Sequence, residues 1–173
     1  MRVAAAVTLC LLLIFGPARS STLEMGHAAP DFTLSDQYGK TFHLADQRGS
    51  VVVLLFADRA GAKYHAAVTA AIDDGVRTGR FPKPTVQIAA ELGSAPGFVR
   101  GWIKAAMRRK DAGGTRPPSI LLDWANLLQS TYAFTANADN VVIIDRDQKL
   151  RFVGVSSADK PATDAIQRIL HAV

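Results

Sequence analysis

The chain has 173 residues, 49% of them hydrophobic and 20% charged, with a formal charge of +5 and a single cysteine, Cys10. That is enough for one domain with a core of its own and short of a comfortable two, and one cysteine excludes an intrachain disulfide. No low-complexity tract or internal repeat is present.

The opening MRVAAAVTLCLLLIFGPARSS places Arg2 before an apolar run from Val3 to Phe15, then a Gly16-Pro17 break and the small residues Ala18 and Ser20. This three-part pattern predicts a secretory signal over residues 1–20, cut after Ser20. The run is 13 residues long, whereas a bilayer core needs roughly 20. Leu9 precedes Cys10 where a lipid-attachment signal carries a small residue, which argues against lipidation. Removing 20 of the 173 residues leaves 153, expected to form one domain over 21–173. Arg2 and Arg19 leave with the signal and no acid does, so the charge falls from +5 to +3. Cys10 leaves too, and a chain without a thiol has no disulfide-exchange or peroxidase chemistry of its own. The expected location is the periplasm, or the exterior in a source that lacks one.

Residues 31–44, DFTLSDQYGKTFHL, alternate Phe32, Leu34, Phe42 and Leu44 with polar partners around Gln37-Tyr38-Gly39, which predicts an N-terminal β-hairpin. Residues 51–56, VVVLLF, are a continuous β-branched run suited to a strand covered on both faces. From about Ala60 the period changes, and Tyr64, Val68, Ile72 and Val76, with Ala67 and Ala71, predict a helix. Gly75, Gly79, Pro82 and Pro84 are expected to stop it, and TVQIAAEL to follow as a second buried strand.

Ser94 to Lys110 predicts a second helix with an apolar stripe of Phe98, Val99, Trp102, Ile103, Ala106 and Met107. On another face Arg100, Lys104 and Arg108 form a ridge of like charges at four-residue spacing, which must face solvent or an anionic partner. Arg108, Arg109 and Lys110 suit a helix C-terminus, with Gly113 and Gly114 beyond it. PPSILLDW then predicts a third strand, Leu127 and Leu128 a short helix, NVVIID a fourth strand and KLRFVGV a fifth, the last two forming a hairpin. Pro161 to Val173 closes the chain as an amphipathic helix. The order predicts an α/β domain in which helices flank a central mixed sheet.

APDFTLSDQYGKTFHL, VVVLLF, LLDWANLLQSTYAF and VVIIDRDQKLRFVG together resemble, in order, the opening hairpin, active-site strand, strand-helix-tyrosine segment and closing hairpin of the thioredoxin-like superfamily, in its peroxiredoxin and TlpA-like branch. The likeness runs from about Gly26 to Val173 and implies a thioredoxin-like fold. A TlpA-like reductase would carry a CxxC pair where this chain has Ala60 and Lys63, in AGAK, and a cis-proline where it has Ala138 and Asp139. A closer likeness is to the YtfJ-like family of small exported proteins, which ADRAGAK at 57–63 and APGFVR at 95–100 resemble; it implies the fold and export and no established activity.

Asp58, Arg59, Ala60, Lys63, Tyr64 and His65 fall near the C-terminal end of the first central strand, where ligands of open α/β sheets bind. The free N–H groups and dipole of the helix start, with Arg59 or Lys63, could hold a carboxylate or phosphate. The plainer alternative is that Asp58 caps the helix, Arg59 and Lys63 are solvated, and Tyr64 is core. The candidate binding residues are therefore Asp58, Arg59, Ala60, Lys63 and Asp139, with no catalytic group among them. His27, His43, His65 and His171 lack metal-ligand spacing, no GxSxG elbow presents a serine, and no cofactor is expected. Trp102 and Trp124 are expected to be packing residues.

The leading functional expectation is an exported, redox-inactive binding or accessory module, acting on a protein partner or a small anionic ligand through its vestigial active-site loop. The alternative is an accessory subunit in oxidative-stress defence or disulfide handling whose partner supplies the cysteine. Nucleic acid is not an expected partner, since the chain has no base-reading motif; weak membrane-surface contact through the Arg100, Lys104 and Arg108 ridge is a third possibility.

Overall fold

A computed structural model describes residues 23–109, 114–156 and 160–173. The expected signal segment, Cys10, and the Lys110 and Gly113 of the second helix's end lie outside the described residues.

The predicted hairpin is present as β1 (Thr33–Ser35) and β2 (Thr41–His43). Its turn is built by Asp36, whose Oδ1 accepts the N–H groups of Tyr38 and Lys40, both at 2.8 Å, while Gly39 supplies a φ of 87°. Five further strands form the central sheet: β3 (Val52–Ala57), β4 (Thr85–Glu91), β5 (Leu121–Asp123), β6 (Asp139–Ile144) and β7 (Leu150–Ser156). Their order is β5-β4-β3-β6-β7, with β3, β4 and β5 parallel and β6 and β7 joining antiparallel. The helices are α1 (His65–Arg77), α2 (Arg100–Met107), α3 (Leu127–Tyr132) and α4 (Lys160–His171).

Every residue of β3 and of β6 is buried, as uninterrupted apolar runs require when both faces of a strand are covered. Alternate side chains feed two cores. Leu54, Phe56, Val142 and Ile144 pack with Phe32, Phe42, Leu128 and Tyr132 on one face. Val53, Leu55, Val141 and Ile143 pack with Val68 and Ile72 of α1 and Ile166 and Leu170 of α4 on the other.

The segment before β1 and the hairpin cover the two edges of the sheet. Gln37 spans to the β5 edge, its Nε2 donating to Pro118 O at 2.7 Å and its Oε1 accepting from Ile120 N at 2.8 Å. Beside it, Ser119 Oγ bonds Asp36 Oδ2 at 2.7 Å. On the opposite edge, Gly26 N donates to Leu150 O, Leu150 N to His27 O and Ala29 N to Gln148 O, at 2.7, 2.8 and 2.8 Å. Unpaired strand edges template association, and here each edge is occupied over a short stretch, on β7 only at its start.

Four expectations need correction. Gly75 does not end α1; it lies buried inside it, where the Phe81 ring packs so closely that a Cβ would fall 2.2 Å from it. The stop comes at Gly79, with φ 71°. The second helix is shorter than 94–110: a 3-10 turn at Gly97–Val99 leads into eight residues of α2. No residue of α2 is buried, and Trp102, expected in the packing, is 69% exposed, with Phe98 at 87%. Consequently β4, expected to be buried, has only Ala89 fully so, because α2 stands away from the strand and leaves a cleft.

Candidate functional site

The loop from β3 to α1 is organised by Asp58. Its Oδ1 accepts the N–H groups of Ala60 and Gly61 at 3.0 and 2.8 Å, and its Oδ2 accepts Asn137 N at 2.9 Å. The Asp58 carbonyl takes Ala62 N at 3.0 Å. Burial alone would raise the Asp58 pKa, but the three backbone donors outweigh it and hold the carboxyl below its ordinary range. This carboxylate therefore caps the turn and ties it to the approach to β6 in one stroke.

Gly61 makes that tie possible. It is buried, and a Cβ there would sit 2.1 Å from the Ala138 carbonyl oxygen. Only glycine allows the two backbones this approach. No cis peptide bond occurs among the described residues.

The predicted site residues divide. Arg59, Ala60 and Lys63 are exposed, and Lys63 Nζ lies 4.9 Å from the centre of the Tyr64 ring, itself half-buried. Asp139 is wholly buried. An anion seated on the helix start would find the N–H groups of residues 60 to 62 already committed to Asp58. Any anionic group must be met by side chains instead.

Asp139 has a partner that single-residue inspection did not assign to it, His65. The Nδ1 of His65 lies 2.8 Å from Asp139 Oδ1, with 13% of the His65 side chain exposed and none of Asp139. The geometry falls short of a hydrogen bond, and both Asp139 oxygens are buried without an aligned donor. Burial raises the Asp139 pKa, and the adjacent His65 opposes that only in part. His65 Nδ1 is thus held inward, toward Asp139.

His65 borders the cleft under α2, whose volume is about 530 Å³, within the range of small-molecule sites. Its walls are apolar: Ile88 and Ala90 of β4, Trp102, Ile103 and Met107 of α2, and Ile120. Asp58, Arg59 and His65 stand at one end, together with Glu91. Glu91 Oε1 accepts Gly93 N at 3.0 Å, while Oε2 is buried without a partner. Burial, and then the negative charges of Asp123 and Asp58, push the Glu91 pKa up. Sequence periodicity could not reveal this cleft, since it placed the α2 stripe in a closed core.

The AhpC/TSA family model matches residues 25–89, from before the hairpin to within β4. No curated protein sequence matches the chain. Among solved structures, the pneumococcal exposed lipoprotein thioredoxin Etrx1 of Streptococcus pneumoniae strain TIGR4 is similar at 20% identity and a TM-score of 0.58, over 80% of this chain and 98% of that one. A putative thiol:disulfide interchange protein DsbE from Chlorobium tepidum is similar at 20% identity and TM-score 0.57, over 87% and 98%. The reduced 2-Cys peroxiredoxin of Plasmodium vivax is similar at 16% identity and TM-score 0.55, over 86% and 94%. The fold is thioredoxin-like.

Proposed function

We propose that this chain is an exported, redox-inactive binding module on a thioredoxin-like fold, taking an apolar ligand with a small anionic head into the cleft beside the β3–α1 loop. The observation that carries the reading is the cleft itself. An apolar chamber of about 530 Å³ opens beside a loop held by Asp58 where a redox relative would place cysteines, and the chain has none after Cys10. The head would meet Arg59 and His65 Nε2, because the backbone donors of the helix start are spent on Asp58. Export rests on the Val3–Phe15 run, and the likeness of ADRAGAK and APGFVR favours the YtfJ-like family.

The test uses an anionic naphthalenesulfonate dye, fluorescent when transferred to an apolar site. It should bind at one site per chain, compete with octanoate, and be lost in Ala106→Trp, which fills the cleft. The protein alone should neither reduce insulin nor consume peroxide. Dye binding unaffected by Ala106→Trp, or turnover of any substrate that is abolished by Asp58→Ala, would overturn the proposal. Cell fractionation with mass measurement of the recovered chain tests export and removal of residues 1–20.

The second reading, an accessory subunit to a thiol enzyme, is favoured by the exposed Phe98 and Trp102, since such aromatics often anchor protein interfaces. It predicts that adding this protein changes the rate of a periplasmic thiol oxidoreductase.

A further inference from the structure

We propose, on the reading of this cleft as a ligand site, that Glu91 holds the ligand's anionic head by donating a hydrogen bond from a protonated carboxyl, so that binding takes up a proton. Three carboxylates stand in a row at the C-terminal ends of the parallel strands. Ala57 pairs with Ala90 and Glu91 with Asp123, which brings Asp58, Glu91 and Asp123 side by side. Two of them are spent on backbone donors: Asp58 on the loop described above, and the fully buried Asp123 on Ala125 N, Leu127 N and Leu128 N at 3.2, 2.9 and 2.7 Å. Glu91 differs. Its Oε1 accepts Gly93 N, but its Oε2 is buried without a partner, in a side chain that lines the cleft.

Ionised, Glu91 would place a buried charge on an oxygen that has no donor. Burial, and then the negative charges of Asp123 and Asp58, oppose that state. With Oε1 already accepting from Gly93, the proton belongs on Oε2, and a neutral carboxyl there is a donor in need of an acceptor. An anionic head supplies the acceptor, and a hydroxyl bonded to an anion is among the stronger hydrogen bonds. An ionised Glu91 would repel the same head. The other charged and titratable groups at this end are Asp58 and Arg59 of the β3–α1 loop, and His65 of α1 with Asp139 of β6 behind it. To the cleft α2 contributes only Trp102, Ile103, Ala106 and Met107. His65 is the other group able to gain a proton beside an anion, so it must be separated from Glu91 by experiment.

The full chain is titrated with the naphthalenesulfonate dye, whose sulfonate stays ionised throughout, from the ordinary carboxyl range to mildly alkaline pH, and the signal of Ala106→Trp is subtracted at each point. Affinity should fall by about tenfold per pH unit above the Glu91 step, and calorimetry in buffers of different ionisation enthalpy should show uptake of about one proton there. Glu91→Gln keeps an N–H donor at this position and cannot titrate. Its affinity should therefore hold level with pH and exceed the parent's by about tenfold at a pH one unit above the step. His65→Gln should bind more weakly yet keep both the step and the proton uptake, which decides the matter even if Glu91→Gln does not fold. Parent affinity that does not change with pH, or a step that survives in Glu91→Gln or vanishes in His65→Gln, would overturn the inference and leave the cleft standing as a ligand site. Dye binding that is absent, or that Ala106→Trp does not remove, would overturn both.

Discussion

Replacing Gly61 by alanine tests whether the β3–α1 loop and the entry to β6 are one mechanical unit. The added Cβ would lie 2.1 Å from Ala138 O and 2.6 Å from Ala138 C, where ordinary contact begins at 3.4 Å. The two backbones must therefore part by about 1.3 Å. Overpacking typically costs about 1–3 kcal/mol. Neither side here is a flexible side chain, and Asp58 clamps both through Gly61 N and Asn137 N, so we expect about 3 kcal/mol, the upper end of that range. For a chain of this size that lowers the melting temperature by about 6–12 °C. Urea melts followed by circular dichroism give the free energy, and Gly97→Ala serves as control, because a Cβ there meets nothing within 4 Å. Asp58→Ala releases the clamp, so the double variant should lose less than the two single losses together. A Gly61→Ala protein within about 0.5 kcal/mol of the parent would refute the coupling.

Other perturbations have distinct signatures. Burial raises the Asp139 pKa, so its ionisation opposes folding: stability should decline as pH rises from the ordinary carboxyl range through the raised value, and denaturant melts of Asp139→Asn should lack that decline. Asp58 has the opposite sign. Its pKa is lowered, so its contribution is present above the ordinary range and fades as pH falls through the lowered value; Asp58→Ala should cost about 1–2 kcal/mol near neutrality, measured by the same melts. Tyr132 donates its hydroxyl to Pro30 O and is fully buried, so Tyr132→Phe should cost about 1–3 kcal/mol by leaving that carbonyl unpaired. Trp102, 69% exposed, should shift stability by no more than about 0.5 kcal/mol when replaced by alanine, whereas Val68→Ala in the α1 core should cost several times that in a thermal melt.

The strands were legible because their signals are local. VVVLLF and NVVIID are apolar on successive residues, and only a strand covered on both faces accommodates that; β3 and β6 are such strands. The hairpin was legible from alternation about a glycine turn. The second helix misled because its stripe of Trp102, Ile103, Ala106 and Met107 has the period of a core-facing helix, and periodicity records which residues share a face without recording how far that face stands from the sheet. Gly75 misled for a related reason. Its use is to admit the Phe81 ring, a contact made after the chain has turned back. At the site, the capping role of Asp58 was readable from its place before a helix, and Asp139 was singled out by alignment to a missing proline. The pairing of Asp139 with His65 joins a strand start to a helix start far apart in sequence, and no local pattern encodes it.

The docking of the segment that precedes β3 on part of each sheet edge bears on the order in which the chain can assemble. Gly26 to Ala29 and the hairpin with Gln37 are synthesised early, and dock on Gln148 to Leu150 and on Pro118 to Ile120, which are synthesised much later. Contacts across such separations form late, because the intervening loop must first be closed. A nascent chain thus holds its central strands with the β5 edge alone docked until the start of β7 has emerged. Until then the partial sheet is open to meeting another, and the Gly26–Ala29 segment acts as the latch that narrows this exposure once the last hairpin is in place.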